Sequence, residues 1–194
     1  MLLFVNIKQH VIDKLEKGLS PDLTYHNVTH TLDVLEQAVD IAKYEGIKNE
    51  NDLLLLKIGA LYHDVGFLNV YTGHEKVSCE IAYKELLGFG YSEDQINTIC
   101  GIIKATKVPQ RPKTILEKII CDADLDYLGR DDFFKIGEGL YKEFLYQRIV
   151  SDSRSWNFLQ VSFLKRHHYF TETTKQRRQK QKKIHLEILK SKLY

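Results

Sequence analysis

The sequence predicts an all-α fold in a single domain. Apolar residues recur at the three- and four-residue spacing of helices along most of the chain, and no run alternates as a strand requires. Several of these periodic segments end at a glycine, as helices commonly do. The chain has 194 residues, of which 43% are apolar, so it can bury a core and is short enough for one domain over residues 1–194.

The first three predicted helices have clear boundaries. A helix over about residues 3–18 ends at Gly18, and a second over about 27–44 stops before Gly46. A third, over 52–64, is apolar on nearly all sides. That pattern is typical of a central helix that is buried by its neighbours.

The later helices follow the same signals. A fourth begins near His74 and ends at the glycine turn 88–90, and Ser92 and Gln95 form a capping-box pattern that opens a fifth, which ends near Ala105. The rest of the chain comprises a proline-containing loop over 107–112 and helices over about 114–128, 131–150, 156–168 and 172–192.

Composition argues against several classes of protein. The longest apolar runs, 1–5 and 53–56, are far shorter than a membrane span, and the N-terminal segment has no basic leader or cleavage signal. We therefore expect a cytoplasmic protein with no membrane partner. Cys79, Cys100 and Cys121 are widely spaced in apolar contexts, which predicts buried thiols rather than a disulfide framework.

The C-terminal segment is basic. The net charge of the chain is +2, but residues 165–194 carry +8, so the remainder carries −6. The tail over 175–194 allows two interpretations, a nucleic-acid contact or a helix with a solvated basic face. The helical spacing of Leu186, Leu189 and Leu193, with no interleaved aromatic residue, favours the helix.

Two histidines, His26 and His30, lie at the start of the second predicted helix. Residues four apart share a helix face, so both could point into one pocket. Capping or packing would explain either histidine equally well.

The dipeptide His63-Asp64 ends the most apolar helix. An ionised aspartate in such surroundings is costly unless it meets a cation or hydrogen-bond donors. Neighbouring residues at the end of a helix can converge on one ion. A ligand role therefore explains this pair better than packing does.

Three aspartates, Asp122, Asp124 and Asp126, interrupt another apolar helix. Asp122 and Asp126 share one helix face, whereas Asp124 points the other way. Surface ion pairs with Lys118 or Arg130 would account for one or two of the three, and at least one should face the core.

His74 and Glu75 open the fourth predicted helix. Glu75 would interact favourably with the helix dipole there, and a role in a site is an equally good explanation. Two histidines, a His-Asp pair and a distant aspartate form a nitrogen and oxygen ligand set suited to Zn, Mn, Fe, Co or Ni, with Mg as a further choice. Water completes such a shell and becomes a nucleophile, which indicates metal-assisted hydrolysis.

The order of these residues, His then His-Asp then Asp, in a helical chain resembles the HD superfamily of metal-dependent phosphohydrolases. The resemblance covers about residues 20–130 and implies an HD-type helical bundle, with the helices of 131–194 added to this core. It implies that the metal ligands are His30, His63, Asp64 and Asp124. Asp122 remains an alternative to Asp124, because the last motif of the family is short.

The resemblance also implies roles beyond the ligands. The string Tyr-His-Asn-x-x-His is similar to the opening motif of cyclic-nucleotide phosphodiesterases, in which the histidine equivalent to His26 protonates the leaving oxygen. Asp64 would orient the attacking water. His74 and Glu75 are similar to residues that hold a second metal in some two-metal members, and a contact with substrate is the alternative role for them.

The resemblance implies cleavage of a phosphoester, and we expect a nucleotide or another small phosphorylated metabolite as the substrate. Lys107 and Arg111, in the proline-containing loop, are candidates for phosphate binding. Two other functions fit the sequence. One is a di-iron oxygenase of the same fold, for which only His74 and His26 offer extra ligands. The other is a non-catalytic protein that binds a nucleotide or RNA.

Overall fold

Helices make up all the regular secondary structure of residues 2–193, the part of the chain that the computed structural model describes. The all-α prediction is therefore confirmed. The backbone divides into two compact units. The first unit comprises the chain up to Ser20 and His26–Asp124, and the second comprises Pro21–Tyr25 and the chain from Leu125 onward. That residues 1–194 act as one domain stays a prediction.

The first unit is built around one buried helix. Between Leu55 and Phe67, every residue except Lys57 is buried, as the apolar sequence predicts. Other helices of the unit pack around this segment. The elements of the first unit are α1 (Leu2–Gly18), α2 (Val28–Tyr44), α3 (Glu50–Tyr62), a 3-10 turn (Val65–Leu68), α4 (His74–Gly88), α5 (Glu93–Ala105) and α6 (Ile115–Asp124).

The second unit has its own apolar core. Phe133 and Leu164 are almost fully buried there, together with Leu128 and Leu189. The elements of the second unit are a 3-10 turn (Asp126–Gly129), α7 (Phe133–Tyr146), α8 (Ser153–Arg166) and α9 (Glu172–Ser191). Within residues 2–193, none of the helices combines the length and the apolar content that crossing a bilayer requires.

The basic tail forms α9, and several of its polar side chains hold the second unit together. Arg178 donates a hydrogen bond to Asp126 over 2.9 Å, and the His185 imidazole donates one to the Leu128 carbonyl over 2.9 Å. A Cβ atom at Gly129 would lie 2.4 Å from the Arg178 carbonyl oxygen. The segment is therefore a docked helix, and part of its positive charge is used internally.

Two predicted helices were extended into segments that form 3-10 turns. The third was expected to run to Asp64 and the sixth to Leu128, whereas α3 ends at Tyr62 and α6 ends at Asp124. In both places the chain continues as a 3-10 turn whose residues make tertiary contacts that a longer helix would break. After α3, the Ser78 hydroxyl binds the Gly66 amide.

A half-buried ion-pair network joins α1, α3 and α4. The Glu85 carboxylate accepts hydrogen bonds from the Tyr62 hydroxyl over 2.9 Å and from the His10 imidazole over 3.0 Å, and it pairs with Lys14. Burial alone would raise the pKa of Glu85, but the hydrogen bonds from Lys14, Tyr62 and His10 outweigh it and lower the pKa below its ordinary value. The charged form of Glu85 therefore stabilises the first unit.

We expect Glu85→Gln to lower the free energy of unfolding near neutral pH and to have less effect in acid. The pKa of Glu85 is lower in the folded than in the unfolded chain, so its stabilisation is complete above the ordinary glutamate pKa of 4.5. It is lost as the pH falls through the lower folded-state pKa. Urea unfolding of both proteins across this range measures the difference.

The matched control is Glu80→Gln, because Glu80 lies on the same helix and its ion pair with Lys76 is exposed to solvent. This variant should unfold like the parent at every pH. A difference between the Glu85 variant and the parent that stays constant into acid would contradict the assignment.

Candidate metal centre

Imidazole and carboxylate groups converge inside the first unit, at the ends of three helices. His30 lies in the first turn of α2, His63 directly follows α3, and Asp124 is the last residue of α6. One ligand atom of each side chain lies within 4.8 Å of the other two, an arrangement that could hold a metal ion. His30 and His63 are buried and Asp124 is half-buried.

Asn27 determines where α2 begins and hence where His30 points. The Asn27 side chain caps the helix by accepting hydrogen bonds from the backbone amides of Thr29, over 2.9 Å, and His30, over 3.2 Å. His26 therefore precedes the helix, which corrects the expectation that His26 and His30 share a helix face. Their rings still meet edge to face, with centroids 5.8 Å apart.

The turn after α3 brings the side chains of His63 and Asp64 together. The His63 Nδ1 atom lies 2.7 Å from the Ala60 carbonyl oxygen, which can only accept, so Nδ1 carries the proton. The lone pair of neutral His63 is therefore on Nε2, and Nε2 lies 3.1 Å from Asp64 Oδ2. A backbone hydrogen bond of this kind orients an imidazole for metal binding.

The distances within the cluster fit a metal ion. His30 Nε2 lies 3.3 Å from His63 Nε2, 3.2 Å from Asp124 Oδ1 and 3.4 Å from Asp64 Oδ2. Ligands at about 2.1 Å from one ion and at right angles to each other lie about 3.0 Å apart. His30, His63 and Asp124 are thus close to the separation that a shared cation requires, and Asp64 Oδ2 lies at a similar distance from both histidines.

The two carboxylates of the cluster also favour the binding of a cation. Asp64 is buried, and its Oδ2 atom has no hydrogen-bond partner among the described residues. Burial would lower the pKa of His30, but its close contacts with the carboxylates of Asp124 and Asp64 outweigh it and raise the pKa to about 10. The proton on His30 thus supplies positive charge at the place where a divalent ion would supply it. The residues present therefore fit a metal.

The three aspartates of residues 122–126 lie in different surroundings. Asp124 joins the histidines, whereas Asp122 is fully buried elsewhere on α6 and is outside the cluster. Asp126 belongs to the second unit, where it binds Arg178. The assumption of one continuous helix placed Asp122 and Asp126 on a shared face, and the end of α6 at Asp124 removes that relation.

An aromatic cluster lies beside the ligands. The Phe67 ring stacks on the His26 imidazole at a centroid distance of 4.3 Å and on the His74 imidazole at 3.9 Å. Tyr71 packs edge to face against Phe67 at 5.3 Å. Sequence reasoning missed Phe67, because an apolar residue in an apolar segment carries no signal of its own.

His74 and Glu75 open α4, as predicted, and His74 faces Asp64. The His74 Nε2 atom lies 3.3 Å from Asp64 Oδ1, and Nδ1 donates to the Tyr71 carbonyl over 3.2 Å. Burial would lower the pKa of His74, but its hydrogen bond with Asp64 outweighs this and raises the pKa. Glu75 Oε1 is 3.9 Å from His74 Nε2. The pair therefore contacts the cluster through His74.

Ser78 fixes the turn that carries the His-Asp pair. Its buried hydroxyl donates to the His63 carbonyl and accepts from the Gly66 amide, both over 2.8 Å. A Cβ atom at Gly66 would lie 2.0 Å from the His74 carbonyl oxygen, so α4 packs directly against this turn. Ser78 was also missed, although it follows His74 by four residues and so lies on the same helix face.

Lys107 and Arg111 are exposed on the segment between α5 and α6. Within residues 2–193, neither side chain forms a hydrogen bond or ion pair with the cluster. Their role in phosphate binding stays a prediction.

Comparisons with known proteins agree with this geometry. A family model described as HD domain matches residues 27–126, which is just over half of the chain and includes every residue of the cluster. The crystal structure of a predicted HD superfamily hydrolase from an uncultured Thermotogales bacterium superimposes with a TM-score of 0.62. It covers 97% of this chain and 90% of its own at 21% identity, which shows a shared fold. No curated protein matches the sequence.

We expect Ser78→Ala to lower the free energy of unfolding by about 1–3 kcal/mol, because the buried Gly66 amide would lose its acceptor. Chemical denaturation of the parent and the variant measures this loss. The control is Ser191→Ala, which removes an exposed hydroxyl at the end of α9 and should change stability by less than about 0.5 kcal/mol. Equal effects of the two changes would show that the Ser78 bridge is not stabilising.

Proposed function

The chain belongs to the HD domain family, and on this basis we propose that it is a divalent-metal-dependent phosphohydrolase. Its substrate in this proposal is a phosphoester of a nucleotide or of another small phosphorylated metabolite. The observation that carries the proposal is the convergence of two imidazoles and two carboxylates, with one carboxylate oxygen buried and without a hydrogen bond.

The residues that would hold the cation are His30, His63, Asp64 and Asp124. Two imidazole nitrogens and two carboxylate oxygens suit Mn, Zn, Fe, Co, Ni or Mg. When bound, such an ion supplies a Lewis acid for a phosphoryl oxygen and lowers the pKa of water. The two carboxylates bring a charge of −2 to a largely buried site, so a divalent ion would neutralise them.

Asp64 has a second role in the proposal, which is to orient the attacking water. Its Oδ2 atom faces the two ligand histidines, and its Oδ1 atom faces His74 Nε2 at 3.3 Å. His74 is itself held through the Tyr71 carbonyl. The carboxylate is therefore fixed on both sides, which supports a directed hydrogen bond to water.

His26 is the proposed general acid. It is half-buried, its ring lies beside the His30 ring, and stacking on Phe67 holds its plane. An imidazolium at this position would give its proton to the leaving oxygen as the phosphoester bond breaks. Phosphate contacts from Lys107 and Arg111 complete the proposal and depend on the same substrate.

We expect Asp64→Asn to abolish both bound metal and phosphoester hydrolysis while the fold survives. Elemental analysis, a phosphoester and nucleotide panel with added metals, and far-UV circular dichroism measure the three quantities. Asp131→Asn, at an exposed position of the second unit, should change none of them. A folded Asp64 variant that keeps full activity would refute the proposal.

We expect His26→Ala to retain its metal and to lose about 100- to 10,000-fold in kcat on substrates with poor leaving groups, the range that general acids contribute. The loss should shrink on a p-nitrophenyl phosphodiester, because that leaving group needs no proton. Steady-state kinetics on both substrates, with metal content measured in parallel, tests this. An equal loss on both substrates would indicate that His26 acts in some other way.

A further inference from the structure

Two cysteines of the first unit lie opposite each other on adjacent helices. Cys79 is on α4 and Cys100 is on α5, and both are buried but keep some solvent contact, with 6% and 7% of their areas exposed. We propose that this pair is a modification site, at which a hydroperoxide converts the two thiols into a reversible intramolecular disulfide. The inference is independent of the proposed function.

The contacts between the two residues are reciprocal. Cys79 Sγ lies 3.5 Å from the Cys100 carbonyl oxygen, and Cys100 Sγ lies 3.7 Å from the Cys79 carbonyl oxygen. Each thiol therefore lies against the backbone of the other residue, so the two side chains face each other across the helix pair.

The helical hairpin formed by α4 and α5 places the two cysteines opposite each other. The turn at Phe89–Tyr91 joins α4 to α5, and the Ser92–Gln95 capping box fixes the start of α5. Cys79 and Cys100 are about equally far from this turn along the two antiparallel helices. A covalent bond between them would link two helices that are already packed together.

The pKa values of the two thiols shift in opposite directions. The hydrogen bond from Cys79 lowers the pKa of the Cys100 thiol to about 7, and Lys104, one turn further along α5, contributes to this against the effect of burial. The same hydrogen bond, with burial, raises the pKa of Cys79. This difference favours Cys100 as the nucleophile and Cys79 as the resolving thiol.

The reaction proceeds in two balanced steps. The Cys100 thiolate attacks one oxygen of the hydroperoxide, the O–O bond breaks, and the departing oxygen takes a proton and leaves as an alcohol or water. The Cys79 sulfur then attacks the resulting sulfenic acid, the S–O bond breaks, and the Cys79 proton leaves with that oxygen as water. Two thiols lose two electrons, and the peroxide gains them.

Cys121 provides a contrast within the same unit. It is fully buried, its thiol donates to the Ala105 carbonyl over 3.0 Å, and burial raises its pKa. A neutral thiol without solvent contact reacts slowly with peroxide.

The test is peptide mapping of the full-length protein after brief treatment with hydrogen peroxide and alkylation of the remaining thiols. Trypsin places the three cysteines on separate peptides, 77–84, 85–104 and 119–130. We expect a linked 77–84/85–104 peptide that dithiothreitol separates, an unmodified 119–130 peptide, and a product that stays monomeric on a non-reducing gel.

Two variants sharpen the test. Cys121→Ser should form the same linked peptide as the parent, whereas Cys79→Ser should stop at a Cys100 sulfenic acid that dimedone captures. The proposal is overturned if the parent protein gives no linked peptide, if Cys121 is oxidised first, or if the bond joins two copies of the chain. The mapping of the parent decides the question even if a variant fails to fold.

Discussion

Two carboxylates inside a largely buried cluster must meet positive charge, and this requirement dominates the first unit. The Asp64 and Asp124 carboxylates both contact the imidazoles of His30 and His63. The Oδ2 atom of Asp64 is buried without a hydrogen bond. Protonated His30 meets the requirement when no metal is present, and a divalent ion would meet it with more charge. The proposed chemistry and the local packing therefore have the same electrostatic origin.

The candidate ligands come from the ends of helices rather than from their faces, and this explains how so few residues can converge. The Asn27 cap sets the start of α2, the hydrogen bond from His63 to Ala60 sets the ring after α3, and α6 stops at Asp124. Backbone at a helix end can turn in ways that a regular helix forbids. Ser78 then holds the buried turn after α3 in place from the neighbouring helix.

The sequence predicts the interiors of the helices better than their ends. Helix interiors follow from apolar periodicity, and the four candidate ligands follow from residue type, order and the resemblance to the family. The ends of α3 and α6 were missed, because tertiary contacts of the 3-10 turns determine them. Phe67 and Ser78 were missed as well, since packing against His26 and His63 becomes visible only when distant segments are brought together.

The spacing of the ligands along the chain has a consequence for the life of the protein in a cell. His30, the His63-Asp64 pair and Asp124 are far apart in sequence, so an unfolded chain offers no comparable site. An ion that binds only the folded form draws molecules away from the unfolded pool, which proteases degrade. Metal supply would then raise the fraction of the chain that is folded and protected from degradation.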